Sequence, residues 1–245
     1  MKDLKMSLDD RMREYEKPTK LYLTKRLPLI VRIDGKKFST FTEKVKSFDK
    51  SNTQYDFSQT LNTVFINTCK YILDNLQGAK FAYTQSDEIS ILISNVDYLN
   101  TEAAFNNELC HLISYITSLA CVRFNSEIQK LIDPSLEALF DTRINVYPED
   151  EVANYFVWRQ QDCARNSLSK FSRNFFSSAQ LHEKRKADMH EMLYTIGKNW
   201  ATDLPDWSKN GSFITKKQVF DLCPTFKTSH DIINKFIIKN YEYNN

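Results

Sequence analysis

Two short acidic segments carry the residues best suited to chemistry. Asp34-Gly35 follows the apolar run LPLIVRI (27–33), and Ser86-Asp87-Glu88 lies between KFAYTQ (80–85) and ISILIS (89–94). Paired carboxylates are what two-metal phosphoryl chemistry requires, because two divalent ions about 3.5–4 Å apart clamp the attacking and leaving oxygens of an in-line displacement. Magnesium favours one or two carboxylates, with phosphate oxygens and water completing its shell. Asp-Gly and Ser-Asp are also ordinary turn formers. The choice between a metal site and turn chemistry therefore depends on whether the fold brings the two segments together.

The flanking elements do so. LPLIVRI reads as a buried strand, and Leu61, Val64, Phe65, Ile72, Leu73 and Leu76 recur at helical spacing, giving a helix over 53–76 that ends near Gly78. The runs 80–85 and 89–94 form a hairpin. Phe105, Leu109, Leu112, Ile113, Ile116 and Leu119 mark a second helix over 101–125, and TRINVYP (142–148) is a fourth strand. This order is the ferredoxin-like βαββαβ unit of an α+β protein, with its first and third strands central. Asp34 and Asp87 then meet at one sheet edge. Residues 1–148 form this unit and 149–245 read as mainly helical, packed on the sheet with no linker between. Before the unit, Ser7 and an acidic turn start a short helix that stops before Pro18.

Composition removes several alternatives. Average usage predicts roughly 17 glycines in 245 residues, and the chain has 4. A P-loop, a Rossmann fingerprint, a kinase phosphate loop and a G-x-S-x-G elbow each need clustered glycines, so any bound phosphate must be held by side chains or metal ions. The five cysteines form no C-x-x-C pair, which argues against structural zinc and a disulfide framework. There is no apolar N-terminal leader and no membrane-length apolar run, so a cytoplasmic protein without membrane contact is expected. The net charge of +2 divides into −3 over 1–163 and +5 over 164–245, compatible with a metal-binding half and a basic half facing polyanions.

RIDGKKFSTFTEK (32–44), KSFD (46–49), AYTQSDEISILI (82–93) and VYPEDEVANYFVWRQQDC (146–163) together resemble the tRNA-histidine guanylyltransferase superfamily across most of the first 165 residues. The resemblance implies a polymerase-like palm that adds nucleotides to the 5′ end of an RNA. A nucleoside triphosphate first activates the 5′-monophosphate, and the 3′-hydroxyl of the incoming nucleotide then attacks it. It also implies two Mg2+ ions held by Asp34, Asp87 and the Gly35 carbonyl, with Glu88 as the family's essential glutamate and ATP and GTP as substrates. Nucleotide contacts would come from Arg32, Lys36, Phe38, Lys46 and Ser86; Lys44 and Lys50 compete with Lys46, and Ser86 has its own turn as an alternative partner. A homotetramer is what the family suggests.

The departures choose among family members. After D-C the guanine-adding enzymes carry H-I-N-N-L-Y-N, whereas this chain has Ala164-Arg165-Asn166-Ser167-Leu168-Ser169-Lys170. The family's D-K-N-E-I-L-F aligns with Asp188-Met189-His190-Glu191-Met192-Leu193-Tyr194, which removes a lysine. The chain thus resembles the guanylyltransferase-like branch, which repairs 5′-truncated tRNAs against a template, rather than the enzymes that add one untemplated guanine. Arg159, Arg165, Asn166, Lys184 and Arg185 are the tRNA contacts expected, although Trp158-Arg159 equally suits helix packing with a salt bridge. Phe171, Phe175 and Phe176 are assigned to a helix's core face. Two rivals are an RNA-binding palm without catalysis, disfavoured by its repelling carboxylates, and a nucleotide cyclase, which lacks its G-G-D-E-F-type hairpin here.

Overall fold

The computed structural model describes residues 6–49, 55, 57–97 and 100–237. The chain opens with helix α1 (Leu8–Glu16), whose first turn is capped by the Ser7 hydroxyl accepting the Asp10 N–H. Strand β1 (Leu29–Lys36) leads into α2 (Phe38–Phe48) and α3 (Gln59–Asn75). The hairpin β2 (Ala79–Gln85) and β3 (Glu88–Ile93) follows, then α4 (Leu109–Leu131) and β4 (Leu139–Val146). The C-terminal part holds α5 (Glu149–Ser172), α6 (Ser178–Leu181), α7 (Lys186–Thr195), α8 (Trp200–Asp203), α9 (Asp206–Asn210), β5 (Ser212–Thr215) and α10 (Asp231–Asn234).

The sheet order is β4-β1-β3-β2-β5, antiparallel throughout, so β1 and β3 lie inside a ferredoxin-like core as expected. β5 was not anticipated in the segment read as mainly helical. It extends the sheet beside β2, and the Tyr83 hydroxyl donates to the Asn210 carbonyl just before it. Four residues are too few to show periodicity.

One sheet face packs on α2, α3 and α4 through Leu29, Val31, Ile33, Ile89, Ile91 and Phe140, against Phe65, Ile72, Ile116 and Phe124. The other face carries Ile30, Phe81, Tyr83, Leu92 and Phe213 against Val152 and Phe156 of α5 and Phe226 and Ile233 beyond β5. A strand covered on both sides is apolar at nearly every position, and every residue of β3 is buried. A satellite cluster joins Leu168 and Phe171 to Tyr55, Phe57, Leu193 and Leu204, with Phe175, Phe176 and Met189 packed on it, so these phenylalanines are core residues.

Several boundaries move for local reasons. β1 extends through Asp34 and Gly35, which are ladder residues rather than a turn. The helix expected over 53–76 begins at Gln59, where the Ser58 hydroxyl caps it; residues 53, 54 and 56 lie outside the described residues. The helix expected from 101 starts at Leu109, because Phe105, Asn106 and Asn107 all take positive φ. α2 was missed: its Lys37 N-cap, at φ 54°, supplies no side-chain cap to signal a start.

Candidate active site

The site forms where β1 ends beside the tip of the β2–β3 hairpin. Only Ser86 and Asp87 connect those strands, and Ser86 turns the chain with φ 52°. The Gly35 N–H donates to the Asp87 carbonyl at 3.0 Å, and Asp34 sits opposite Glu88 in the ladder. The two acidic segments therefore meet. Position 35 has to be glycine, because a Cβ there would run into the Phe38 ring.

The Asp87 carboxyl is raised above its usual range, chiefly by burial, with the Ser86 hydrogen bond opposing and the Asp34 charge adding to the rise. Among the described residues, no lysine or arginine forms an ion pair with Asp34 or Asp87. No group of three or more His, Cys, Asp or Glu side chains there is arranged to hold a metal ion by itself. Asp34 and Asp87 are thus two neighbouring hard-oxygen donors, the donor set that suits magnesium when phosphate and water complete its shell.

Glu88 has a different setting. It is 7% exposed, points to the α5 side of the sheet, and accepts a 2.7 Å bond from Arg159 Nη1 and a 3.2 Å bond from the Ser90 hydroxyl. Burial raises its carboxyl, and the charges of Arg159 and Arg32 oppose that rise. Arg159 also pairs with Asp162 at 3.1 Å and lies 3.8 Å from the centre of the Trp158 ring. At 5% exposure Arg159 is not the tRNA contact expected of it; it is the buried link between α5 and the hairpin.

Beside the hairpin tip lies a cleft of about 160 Å³. Phe38, Leu61 and Trp207 give it apolar walls, while Lys46, Lys170 and Ser86 bring polar groups to it. Lys46 also pairs with Glu43 at 3.0 Å. Asn166 lines the cleft too, although its amide reaches Asp162 at 3.4 Å. Lys44 is exposed on α2 and does not line the cleft, and Lys50 lies outside the described residues. Lys36 is exposed at the end of β1. Arg165 is exposed and ion-paired with Asp162, and Lys184 and Arg185 are exposed between α6 and α7. Asn62 and Gln85, which also line the cleft, were missed, and Lys170 was noted only within the segment that stands in place of H-I-N-N-L-Y-N. Their only sequence signal was proximity to motifs, since α3 and α5 converge only in the folded chain.

Adjacent carboxylates with no cationic side-chain partner among the described residues, at the end of central strands and beside a cleft with lysines, are the arrangement that nucleotidyl transfer on a palm-like fold requires. Residues 9–148 match the tRNAHis guanylyltransferase family. A bacterial tRNA(His) guanylyltransferase-like protein in complex with ATP superposes with a TM-score of 0.86 at 41% identity, covering 94% of this chain and 99% of that one. Another such structure, in complex with GTP, gives a TM-score of 0.77 at 36% identity with the same coverage. The tRNA(His) guanylyltransferase of Schizosaccharomyces pombe is 30% identical over 205 residues, 78% of this chain and 74% of that protein. The chain belongs to the tRNAHis guanylyltransferase family and is a nucleotidyltransferase.

Proposed function

We propose that this protein extends the 5′ ends of truncated tRNAs in the 3′-to-5′ direction, selecting each nucleotide by pairing with the opposite strand. The observation that carries this reading is the fate of the two substituted motifs. Where the family lysine aligns, Met189 packs into the satellite core; where H-I-N-N-L-Y-N aligns, the cleft is lined by Asn166, Ser167 and Lys170. A protein without those nucleotide contacts needs another source of selection, and a template base supplies one. The similar proteins in complex with ATP and with GTP support both nucleotides as substrates.

The residues act mainly by placing charge. Asp34, Asp87 and the Gly35 carbonyl would hold magnesium, which supplies Lewis-acid stabilisation of phosphoryl oxygens and lowers the proton affinity of the attacking hydroxyl. Lys46 and Arg32 offset triphosphate charge in a chain without a glycine-rich cradle. The cleft's apolar wall takes the base. Cys163 also lines the cleft, but burial pushes its thiol up to about 12, so it stays protonated at neutral pH and is no nucleophile. The bond therefore forms directly between the nucleotide's 3′-oxygen and the activated 5′-phosphorus, as pyrophosphate or a nucleoside monophosphate leaves.

The test is a gel assay with magnesium, nucleoside triphosphates and tRNAs lacking their first 5′ residues. Exchanging the opposing base should exchange the nucleotide added, and addition should stop when the acceptor stem is full. Addition of guanine whatever the opposing base, and only to histidine tRNA, would replace this reading with the founding activity of the family.

A further inference from the structure

Gln160 and Arg159 are neighbours in the W-R-Q-x-D-C segment of α5, and successive helical residues point about 100° apart. Arg159 turns to the hairpin and Glu88, whereas Gln160 turns to the chain on either side of β5. Gln160 is 8% exposed, and its amide is used at both ends. Nε2 donates to the Pro224 carbonyl at 2.9 Å and to the Asn210 carbonyl at 3.3 Å, and Oε1 accepts the Phe226 N–H at 2.9 Å. Residues 223–226 lie outside any helix or strand, with Cys223 and Phe226 buried, so their backbone groups have no ladder to pair in and need a side chain instead.

The segment before β5 carries one wall of the cleft. α9 is five residues long, too short to hold a helix by its own hydrogen bonds, and it brings Trp207 and Ser208 to the cleft. Its place is set from outside. The Asn210 carbonyl at its end accepts from Gln160 and, at 2.8 Å, from the Tyr83 hydroxyl of β2, while the Asp206 carboxylate at its start accepts the Cys223 N–H at 3.0 Å. Gly211 then lies so close to the Tyr83 ring that a Cβ there would overlap it. Trp207 meets Phe57 edge-on at 6.3 Å, and both rings line the cleft.

We propose that Gln160 is a positioning residue for nucleotide binding: through the Asn210 carbonyl and the segment 223–226 it holds α9 so that Trp207 forms the wall against which the base packs. The amide is specific for this place. A glutamate would set a charge against two carbonyls, and a methionine of the same length leaves the Pro224 carbonyl and the Phe226 N–H without this partner. Arg159 and Gln160 divide the work of one helix, the first serving the hairpin that carries Asp87, the second serving the cleft where the nucleotide is held. A loss at Gln160 therefore falls on ground state and transition state alike, which raises KM and leaves kcat little changed. The inference rests on the cleft taking the nucleotide, as proposed above.

The test uses the full chain with magnesium: equilibrium dialysis against GTP and against ATP, and kcat for nucleotide addition to tRNA at saturating nucleotide. Gln160→Met should weaken both nucleotides at least about threefold, part of the loss expected when a stacking wall moves, with kcat within about twofold of the unaltered protein. Tyr83→Phe, which frees the same Asn210 carbonyl from the other side, should weaken them in the same sense and by less. Ile233→Val, an apolar change in the same buried cluster as Phe226, should melt lower and leave nucleotide affinity unchanged. Unchanged affinity in Gln160→Met would overturn the proposal. So would an equal loss in Ile233→Val, which would make the effect one of general stability, or a fall in kcat with affinity intact, which would put Gln160 with Arg159. If Gln160→Met does not fold, Tyr83→Phe decides, and unchanged affinity there overturns the proposal equally. Trp207→Ala should weaken nucleotide binding at least about fivefold. Unchanged affinity in that variant would remove the base from this cleft and this proposal with it, whereas a loss there with none in Gln160→Met would remove only this one.

Discussion

Asp87 shows how a single residue is fitted for catalysis against the interest of the fold. Burial, and after it the charge of Asp34, raises its carboxyl above the ordinary value of 3.8, while the Ser86 hydrogen bond opposes the rise. The folded protein thus holds this proton more tightly than the unfolded chain. The associated stability is present below about pH 4 and is lost as pH rises through the higher folded value. At neutral pH without metal, ionised Asp87 is therefore destabilising. Asp87→Asn should abolish nucleotide addition yet melt at a higher temperature than the unaltered protein in EDTA at pH 7, with the difference shrinking toward pH 4. A lower melting temperature at pH 7, or substantial remaining activity, would remove Asp87 from the metal site. The meeting of Asp34 and Asp87 was legible in the sequence because strand order alone places both at one edge. The environment of Glu88 was not. Its partner Arg159 lies 71 residues away, and only the packing of α5 on the sheet shows that the glutamate faces inward.

At the scale of elements, the Glu88–Arg159 pair joins the hairpin that carries Asp87 to the helix that flanks the cleft. Both side chains are under 10% exposed, and removing one partner of a buried ion pair costs about 3–5 kcal/mol because the other charge is left uncompensated. Arg159→Ala should lose stability of that order in urea unfolding, and should lower kcat far more than it raises KM for nucleotide. Replacing both, as Glu88→Gln with Arg159→Met, should recover much of the stability without recovering kcat. A cost below about 1 kcal/mol for Arg159→Ala would show that α5 is held by its apolar face alone. The long elements were legible because periodicity accumulates over many residues: α3, α4 and the four strands of the ferredoxin-like unit are all present in the order patterning gives, with their boundaries shifted, α4 beginning at Leu109 rather than 101. The short ones were not. α2 lacks a capping side chain, and β5 is four residues long and acquires its identity only by pairing with β2.

At the scale of the whole molecule, the sheet has an acidic end at the hairpin and a helical C-terminal part with excess positive charge. The +5 of residues 164–245 was read from the sequence as a polyanion-binding surface, but the structure divides its candidates. Arg165 is tied to Asp162 on α5, whereas Lys184 and Arg185 stand exposed on the short connection between α6 and α7. Neither Lys184 nor Arg185 has a side chain in a salt bridge among the described residues. Phosphate contacts fix a nucleic acid's position without reading its bases. Replacing Lys184 and Arg185 together with alanine should therefore weaken binding of all tRNAs alike and lower the salt slope by roughly 2, while leaving nucleotide affinity and the choice of nucleotide unchanged. The comparison is direct when the same salt titration is run on histidine and non-histidine tRNAs. An unchanged slope would return both residues to an ordinary solvated surface, and a loss confined to one tRNA would mean that this connection reads sequence or shape rather than charge.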